Sequence, residues 1–234
     1  MKLRLMRKDS RVKAFVFDAY GTLFDVFSVT SFCEDLFPGY GKQLSNLWRK
    51  KQLEYSWLRS LMSRYRGFWG VTEDALVYSA KSLNLDITAG ERAQLMDSYL
   101  HLATFPDVKP GLEELKKIGM RLSILSNGEP EMLRAAIESA DLTNFIDAIF
   151  SVDSVKEFKP SPRVYDQLPS CLKINKQEIG FVSANNWDVS GASSAGFETF
   201  WIQRSGFETP EELGYPPTHR VNAITDLCRF ISPE

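Results

Sequence analysis

The chain has 234 residues, 44% of them hydrophobic and 25% charged, with a formal net charge of −2, ordinary proportions for a globular protein long enough to bury a sizeable core. That balance offers no electrostatic basis for binding nucleic acid or an anionic membrane, and no run reaches the roughly 20 apolar residues of a spanning helix, so cytoplasmic residence is the default expectation. Cys33, Cys171 and Cys228 are too few and too scattered for a disulfide framework or a zinc site, and two histidines without a Gly-x-Ser-x-Gly turn disfavour a Ser-His-Asp hydrolase.

Residues 1–8 are basic but lead into no long apolar stretch or cleavage pattern, and read as a disordered leader. Ala14-Phe15-Val16-Phe17 then forms an apolar run that stops on Asp18, followed at once by Ala19-Tyr20-Gly21-Thr22. A strand ending on a carboxylate delivers that group to the carboxyl edge of a sheet, where open α/β folds bind ligands. The plainer alternative is a helix cap. After Asp25 the pattern turns helical, with helices expected over residues 28–37, 43–64, 72–83 and 88–102, each with a capping Ser or Thr or a following Gly or Pro. In the second of these, Leu44, Leu47, Trp48, Tyr55, Leu58 and Met62 form one stripe, with Lys51 snorkelling from it. Arg49, Leu53 and Trp57 repeat every four residues on another side.

From Phe105 helix and strand alternate: helix 111–119, strand 121–125, helix 131–140, a short strand within 145–152, helix 162–168, strand 179–182, helix 188–195, strand 199–202 and helix 224–231. Such alternation argues for a parallel sheet with helices on both faces. The expected organisation is a doubly wound α/β, Rossmann-like core built from residues 1–25 and 105–234, interrupted by a helical cap subdomain over 26–104. Three strands run into polar residues: Phe17 into Asp18, Leu125 into Ser126-Asn127-Gly128, and Val182 into Ser183-Ala184-Asn185-Asn186-Trp187-Asp188. In a parallel sheet these ends share one edge, so distant residues converge on one crevice.

A carboxylate is a poor nucleophile while hydrated, so a useful Asp18 must be ionised, partly dry and aimed. Lys159, between Phe158 and Pro160, is the candidate cation to hold it charged, its alternative being a solvated surface lysine. Ser126 and Asn127 can donate to a bound carboxylate or cap the helix after Pro130, and Asp188 can orient a water and bind Lys159 or simply begin the next helix.

Asp18-Ala19-Tyr20-Gly21-Thr22-Leu23 resembles the first motif of haloacid dehalogenase-like hydrolases, whose first aspartate attacks the substrate. With Leu47–Arg59, Leu125-Ser126-Asn127-Gly128, Phe158-Lys159-Pro160 and Phe181–Asp188, five blocks in order from about residue 12 almost to the C-terminus, the chain is similar to L-2-haloacid dehalogenases. The resemblance implies a cofactor-independent hydrolase that displaces halide from C2 of a short L-2-haloalkanoate by aspartate attack with inversion, then hydrolyses the ester to a D-2-hydroxy acid. It implies Asp18 as nucleophile, Arg49 as halide acceptor, and Thr22, Ser126, Asn127 and Lys159 as organisers of charge. Tyr165, Ser183, Asn185 and Asp188 complete the catalytic set. Ala19, Tyr20, Leu53, Phe68 and Trp187 join Arg49, Ser126 and Asn127 in binding substrate, and a homodimer is expected.

Phosphatases of the superfamily hold Mg²⁺ with the nucleophile and an acidic residue after the last catalytic strand, and most carry a second aspartate two positions after the nucleophile as general acid; here those places read Ser183-Ala184 and Tyr20, so no metal is expected. Lys50 and Ala184 depart from the glutamine and serine of relatives, and a cation beside Arg49 would be expected to alter chain-length preference or halide binding. The alternatives are a metal-dependent phosphatase, a hydrolase opening a strained-ring carboxylate, and a non-catalytic interaction protein.

Overall fold

The computed structural model describes residues 12–206 and 208–231, so the expected leader lies outside the described residues. β1 (Ala14–Phe17) is buried at all four positions, as a strand covered on both faces must be. The other strands are β2 (Arg121–Ser126), β3 (Ala148–Ser151), β4 (Ile179–Ser183), β5 (Glu198–Ile202) and β6 (His219–Val221), in one parallel sheet of order β3-β2-β1-β4-β5-β6. The chain winds away from β1 in both directions, which puts a topological switch point between β1 and β4. Phe17 pairs in register with Val182, and the Asp18 N–H donates to the Val182 carbonyl at 2.9 Å, so Asp18 and Ser183 leave the sheet side by side.

Between β1 and α5 (Val108–Lys117) lie four helices, α1 (Thr30–Leu36), α2 (Gly41–Leu61), α3 (Phe68–Ser82) and α4 (Ala89–Ser98), and every strand of the sheet falls outside them. Thr88 and Glu91 close a reciprocal capping box at the start of α4. The remaining helices are α6 (Pro130–Ser139), α7 (Pro162–Asp166), α8 (Leu168–Leu172) and α9 (Asn186–Ser194). The inserted segment sits against the carboxyl edge of the sheet through contacts from α2, α3 and the connection between them. The Trp69 N–H donates to Glu129 at 2.7 Å, the Phe158 N–H to Ser60 at 2.9 Å, and the Tyr65 ring stacks on Phe158 at 5.1 Å.

Several expectations need correction. α2 buries its hydrophobic stripe only in part: Leu44 and Trp48 are buried and Leu47 and Tyr55 half-buried, whereas Leu58 and Met62 are exposed, and the other buried positions are Gly41, Ser45, Arg49, Gln52 and Ser56. The helix is rotated so that a polar ladder faces inward, each buried polar group finding a bond there. The helix expected over 162–168 is two short ones with Pro169 in the first turn of the second, where proline is tolerated. The last segment, Ile224–Phe230, winds as a 3-10 helix, and β6, only three residues long, carries too short a pattern to be read. α3 begins at Phe68, one turn earlier than expected.

Candidate active site

Asp18 projects from the end of the central strand and is only 5% exposed. Its two oxygens differ. Oδ2 accepts from Asn185 Nδ2 at 2.7 Å, Thr22 Oγ1 at 2.9 Å and Ser183 Oγ at 3.3 Å, while Oδ1 accepts from Lys159 Nζ alone, at 3.0 Å. An oxygen with three donors has no lone pair to offer; the other keeps one for an electrophile. The turn after β1 makes this possible through Gly21, whose φ of +91° bends the backbone under Asn185. Asn185 Nδ2 uses its second proton on the Tyr20 carbonyl at 2.9 Å, which fixes the amide. Thr22 Oγ1, besides donating to Asp18, accepts the Ala184 N–H at 2.9 Å, so position 184 contributes through its backbone.

Lys159 is fully enclosed, with Nζ 3.0 Å from Asp18 and 2.9 Å from Asp188 Oδ2. Burial alone would pull its proton affinity down; the two carboxylates outweigh it and hold the ammonium above the ordinary lysine value. Its backbone N–H donates to Asn127 Oδ1 at 3.0 Å. Asp188 is pushed up to about 6, chiefly by burial, against the opposing pull of Lys159 and of the Tyr165 hydroxyl, which donates to Oδ1 at 2.6 Å. The expected bond between Asp188 and Lys159 is therefore present. Each Asp188 oxygen has one side-chain donor, Lys159 on Oδ2 and Tyr165 on Oδ1, and keeps a further lone pair for a water.

Asp18, Tyr20, Arg49, Leu53, Phe68, Ser126, Asn127, Asn185 and Trp187 line one narrow cleft between the sheet edge and the inserted helices. Thr22, Lys159, Ser183, Asp188 and Tyr165 stand immediately behind its floor. Ala19 is fully buried and takes no part in the lining; its carbonyl closes the turn by accepting the Leu23 and Phe24 N–H groups. Neither Ser126 nor Asn127 caps α6: Ser126 Oγ accepts the Gly128 N–H at 3.1 Å, and its hydroxyl keeps a proton to donate. Arg49 reaches over from α2, Nη2 donating to the Tyr20 carbonyl at 3.2 Å and Nη1 to Gln52 Oε1 at 2.7 Å. Lys50 is exposed, so its charge lies outside the cleft.

Two residues were missed by sequence reasoning. Gln52 sits three positions from Arg49, a helical spacing at which side chains meet, and that spacing was the signal available. Glu129, whose carboxylate receives the first turn of α3, carries no such signal because its partner is 60 residues away.

A divalent ion does not fit these donors. The two carboxylates of the site, Asp18 and Asp188, already share the Lys159 ammonium, the neighbouring positions are Tyr20 and Ala184, and no cluster of three His, Cys, Asp or Glu side chains occurs among the described residues. The arrangement instead presents a dry carboxylate oxygen opposite a buried guanidinium, which suits displacement of an anionic leaving group from carbon.

Comparison with known proteins agrees. The model of the haloacid dehalogenase-like hydrolases matches residues 12–196. The chain is 47% identical over 213 residues to the (S)-2-haloacid dehalogenase of Pseudomonas sp. (strain YL), covering 91% of each, and 41% identical over 222 residues to a haloacetate dehalogenase of Moraxella sp. (strain B), covering 95% of this chain and 99% of that one. Among solved structures, the L-2-haloacid dehalogenase from Xanthobacter autotrophicus with chloropropionic acid covalently bound superposes with a TM-score of 0.86 at 40% identity, over 93% of this chain and 97% of that one.

Proposed function

Because the chain belongs to the haloacid dehalogenase-like hydrolases, and within them to the L-2-haloacid dehalogenases, we propose that it hydrolyses short L-2-haloalkanoates to D-2-hydroxy acids with Asp18 Oδ1 as the attacking atom. The observation that carries this is the unequal bonding of the Asp18 oxygens: three donors on one, a single ammonium on the other.

In the first step an Oδ1 lone pair forms a bond to C2 from the side opposite the halogen, the carbon–halogen bond breaks, and its electron pair leaves as halide toward Arg49. C2 inverts. The Asp18 ester has lost the negative charge that Lys159 balanced, and Asn185, Ser183 and Thr22 remain as donors around its carbonyl oxygen. In the second step water adds to the Asp18 carboxyl carbon, the ester C–O bond breaks on the enzyme side, and the hydroxy acid departs with the original Oδ1. One water is consumed and one proton and one halide are released. Ser126 and the neighbouring backbone hold the substrate carboxylate, Asn127 positions Lys159, and Tyr20, Leu53, Phe68 and Trp187 wall the alkyl group. Asp188 and Tyr165 act through Lys159, with Asp188 ionised above about pH 6 to draw a proton from the hydrolytic water.

A single turnover in ¹⁸O-labelled water tests the scheme: the first hydroxy acid should carry unlabelled oxygen from Asp18, and label in that product would mean direct attack by water. Asp18→Asn should fold normally and release no halide; normal release would end the assignment. Chloride should be freed from L- but not D-2-chloropropionate, equally with and without EDTA. A homodimer, on the family resemblance, and cytoplasmic residence, as the default expectation, belong to the same reading, to be checked by sedimentation equilibrium and fractionation. No described helix is long and apolar enough to cross a membrane.

A further inference from the structure

We propose that Gln52 is a positioning residue that aims the Arg49 guanidinium into the cleft while leaving its charge uncompensated, so that the site itself keeps an anion-hungry cation ready for halide. The inference rests on the halide-accepting role given to Arg49 above.

A buried amide is costly unless both ends are bonded, and here both are. Gln52 is fully buried; Oε1 accepts from Arg49 Nη1 at 2.7 Å and Nε2 donates to Thr72 Oγ1 at 2.7 Å. The Thr72 hydroxyl gives its own proton to the Phe68 carbonyl at 2.7 Å, and Trp48 Nε1 holds the Thr72 carbonyl at 2.8 Å. Since that hydroxyl has no second proton, it can only accept from position 52. The amide is thereby forced to turn its nitrogen toward α3 and its oxygen toward Arg49. A chain of three bonds running from α3 thus dictates the orientation of a guanidinium on α2.

The other acceptor of Arg49 is also neutral, the Tyr20 carbonyl, and no carboxylate stands within ion-pair distance of Arg49 among the described residues. Buried arginines are almost always paired. Burial pulls this one below the ordinary arginine proton affinity. An amide oxygen directs a guanidinium without cancelling it, whereas a carboxylate in the same place would satisfy the charge from within and compete with the leaving halide.

Gln52→Glu tests the idea because it keeps the shape and makes the charge titratable. Position 52 faces Arg49 on its own helix, Thr72 on α3 and the Tyr99 hydroxyl after α4, with Tyr20 and Asp18 beyond Arg49. Arg49 favours an ionised glutamate; burial, the accept-only Thr72 hydroxyl and Asp18 favour the acid. The protonated acid can donate to Thr72 and accept from Arg49, reproducing the amide. Bromide binding to the resting enzyme is read as the saturable part of tryptophan fluorescence quenching, since Trp187 lines the cleft, and expressed as the ratio of variant to wild-type dissociation constants between about pH 5 and about pH 9.

The expected ratio is at least about tenfold at the alkaline end, falling toward one as pH drops. A ratio within about twofold throughout overturns the proposal, as does a Gln52→Glu loss that is equal at every pH, which would make the residue merely structural. Should Gln52→Glu not fold, Gln52→Met decides: wild-type bromide affinity and kcat overturn the inference, and loss of both, with melting preserved, supports it. Arg49→Met is titrated in parallel. If it binds bromide like wild type, the halide role of Arg49 itself is wrong; if it does not while Gln52→Glu does, only the present inference falls.

Discussion

Replacing Lys159 with Met keeps most of the side chain's bulk and removes its charge from between two buried carboxylates. At 3.0 Å from Asp18 and 2.9 Å from Asp188, the ammonium attracts each carboxylate by roughly 5.5 kcal/mol at an effective dielectric of about 20. That is equivalent to about four units of pKa. Without it, burial and repulsion press a proton onto the pair, first onto Asp188, whose carboxyl burial already pushes up to about 6, and Asp18 Oδ1 loses the one donor that orients it for attack. Halide release at neutral pH should therefore fall by at least about tenfold, and part of the loss should be regained as pH is raised.

The alkaline recovery is what separates a lost counter-ion from a damaged fold. Leaving a buried charge unpaired costs about 3–5 kcal/mol, and proton uptake returns part of that, so Lys159→Met should melt closer to wild type at pH 5 than at pH 8. Halide release measured by ion chromatography across that range, beside thermal melts of the same samples, gives both readings. A variant within about twofold of wild-type kcat, or one whose deficit does not change with pH, would refute the argument that Lys159 supports the nucleophile.

Tyr165→Phe removes a hydrogen bond that holds the Asp188 carboxyl down against burial. Asp188 should then stay protonated to higher pH, moving the acid limb of ester hydrolysis upward from about 6 by about one unit; an unmoved limb in single-turnover pH profiles would detach Asp188 from that step. Gly21→Ala places a methyl group 3.2 Å from Asn185 Nδ2 at a φ of +91°. It should cost about 1–2 kcal/mol in urea unfolding and lower kcat by displacing the amide that bonds both Asp18 and the Tyr20 carbonyl, whereas a stable, fully active variant would show that the turn has slack.

The central strand, the alternation after Phe105, the all-helical stretch between and the three polar strand ends were legible because each is written in neighbouring residues: a period of two or 3.6, a cap, a turn. The absence of the phosphatase carboxylates was equally plain at Tyr20 and Ala184. β6 and the 3-10 turn at Ile224–Phe230 were not, since three residues or a single tight turn carry too little pattern to tell a strand or 3-10 segment from a loop. The inward face of α2 was legible only in part, in Leu44, Trp48 and the Arg49–Leu53 side, for a different reason. Hydrophobicity alone selects the stripe through Leu58 and Met62, but Thr72 and Arg49 make the Ser45–Gln52–Ser56 side the one whose burial leaves no polar group unbonded.

The amino-acid order by itself determined which elements form, in what sequence, and that a carboxylate, an amide and a second carboxylate would arrive at one edge of a parallel sheet. Tertiary structure decided everything that depends on which atom faces which. Asp18 Oδ1 is left with one donor while Oδ2 takes three, Lys159 is suspended between carboxylates 141 and 29 residues away, and Arg49 is steered by an amide whose own direction is set from another helix. Such bonds join groups far apart in the chain, and their energies depend on distances of a few ångströms and on exclusion of water, neither of which exists until the helices have closed over the sheet.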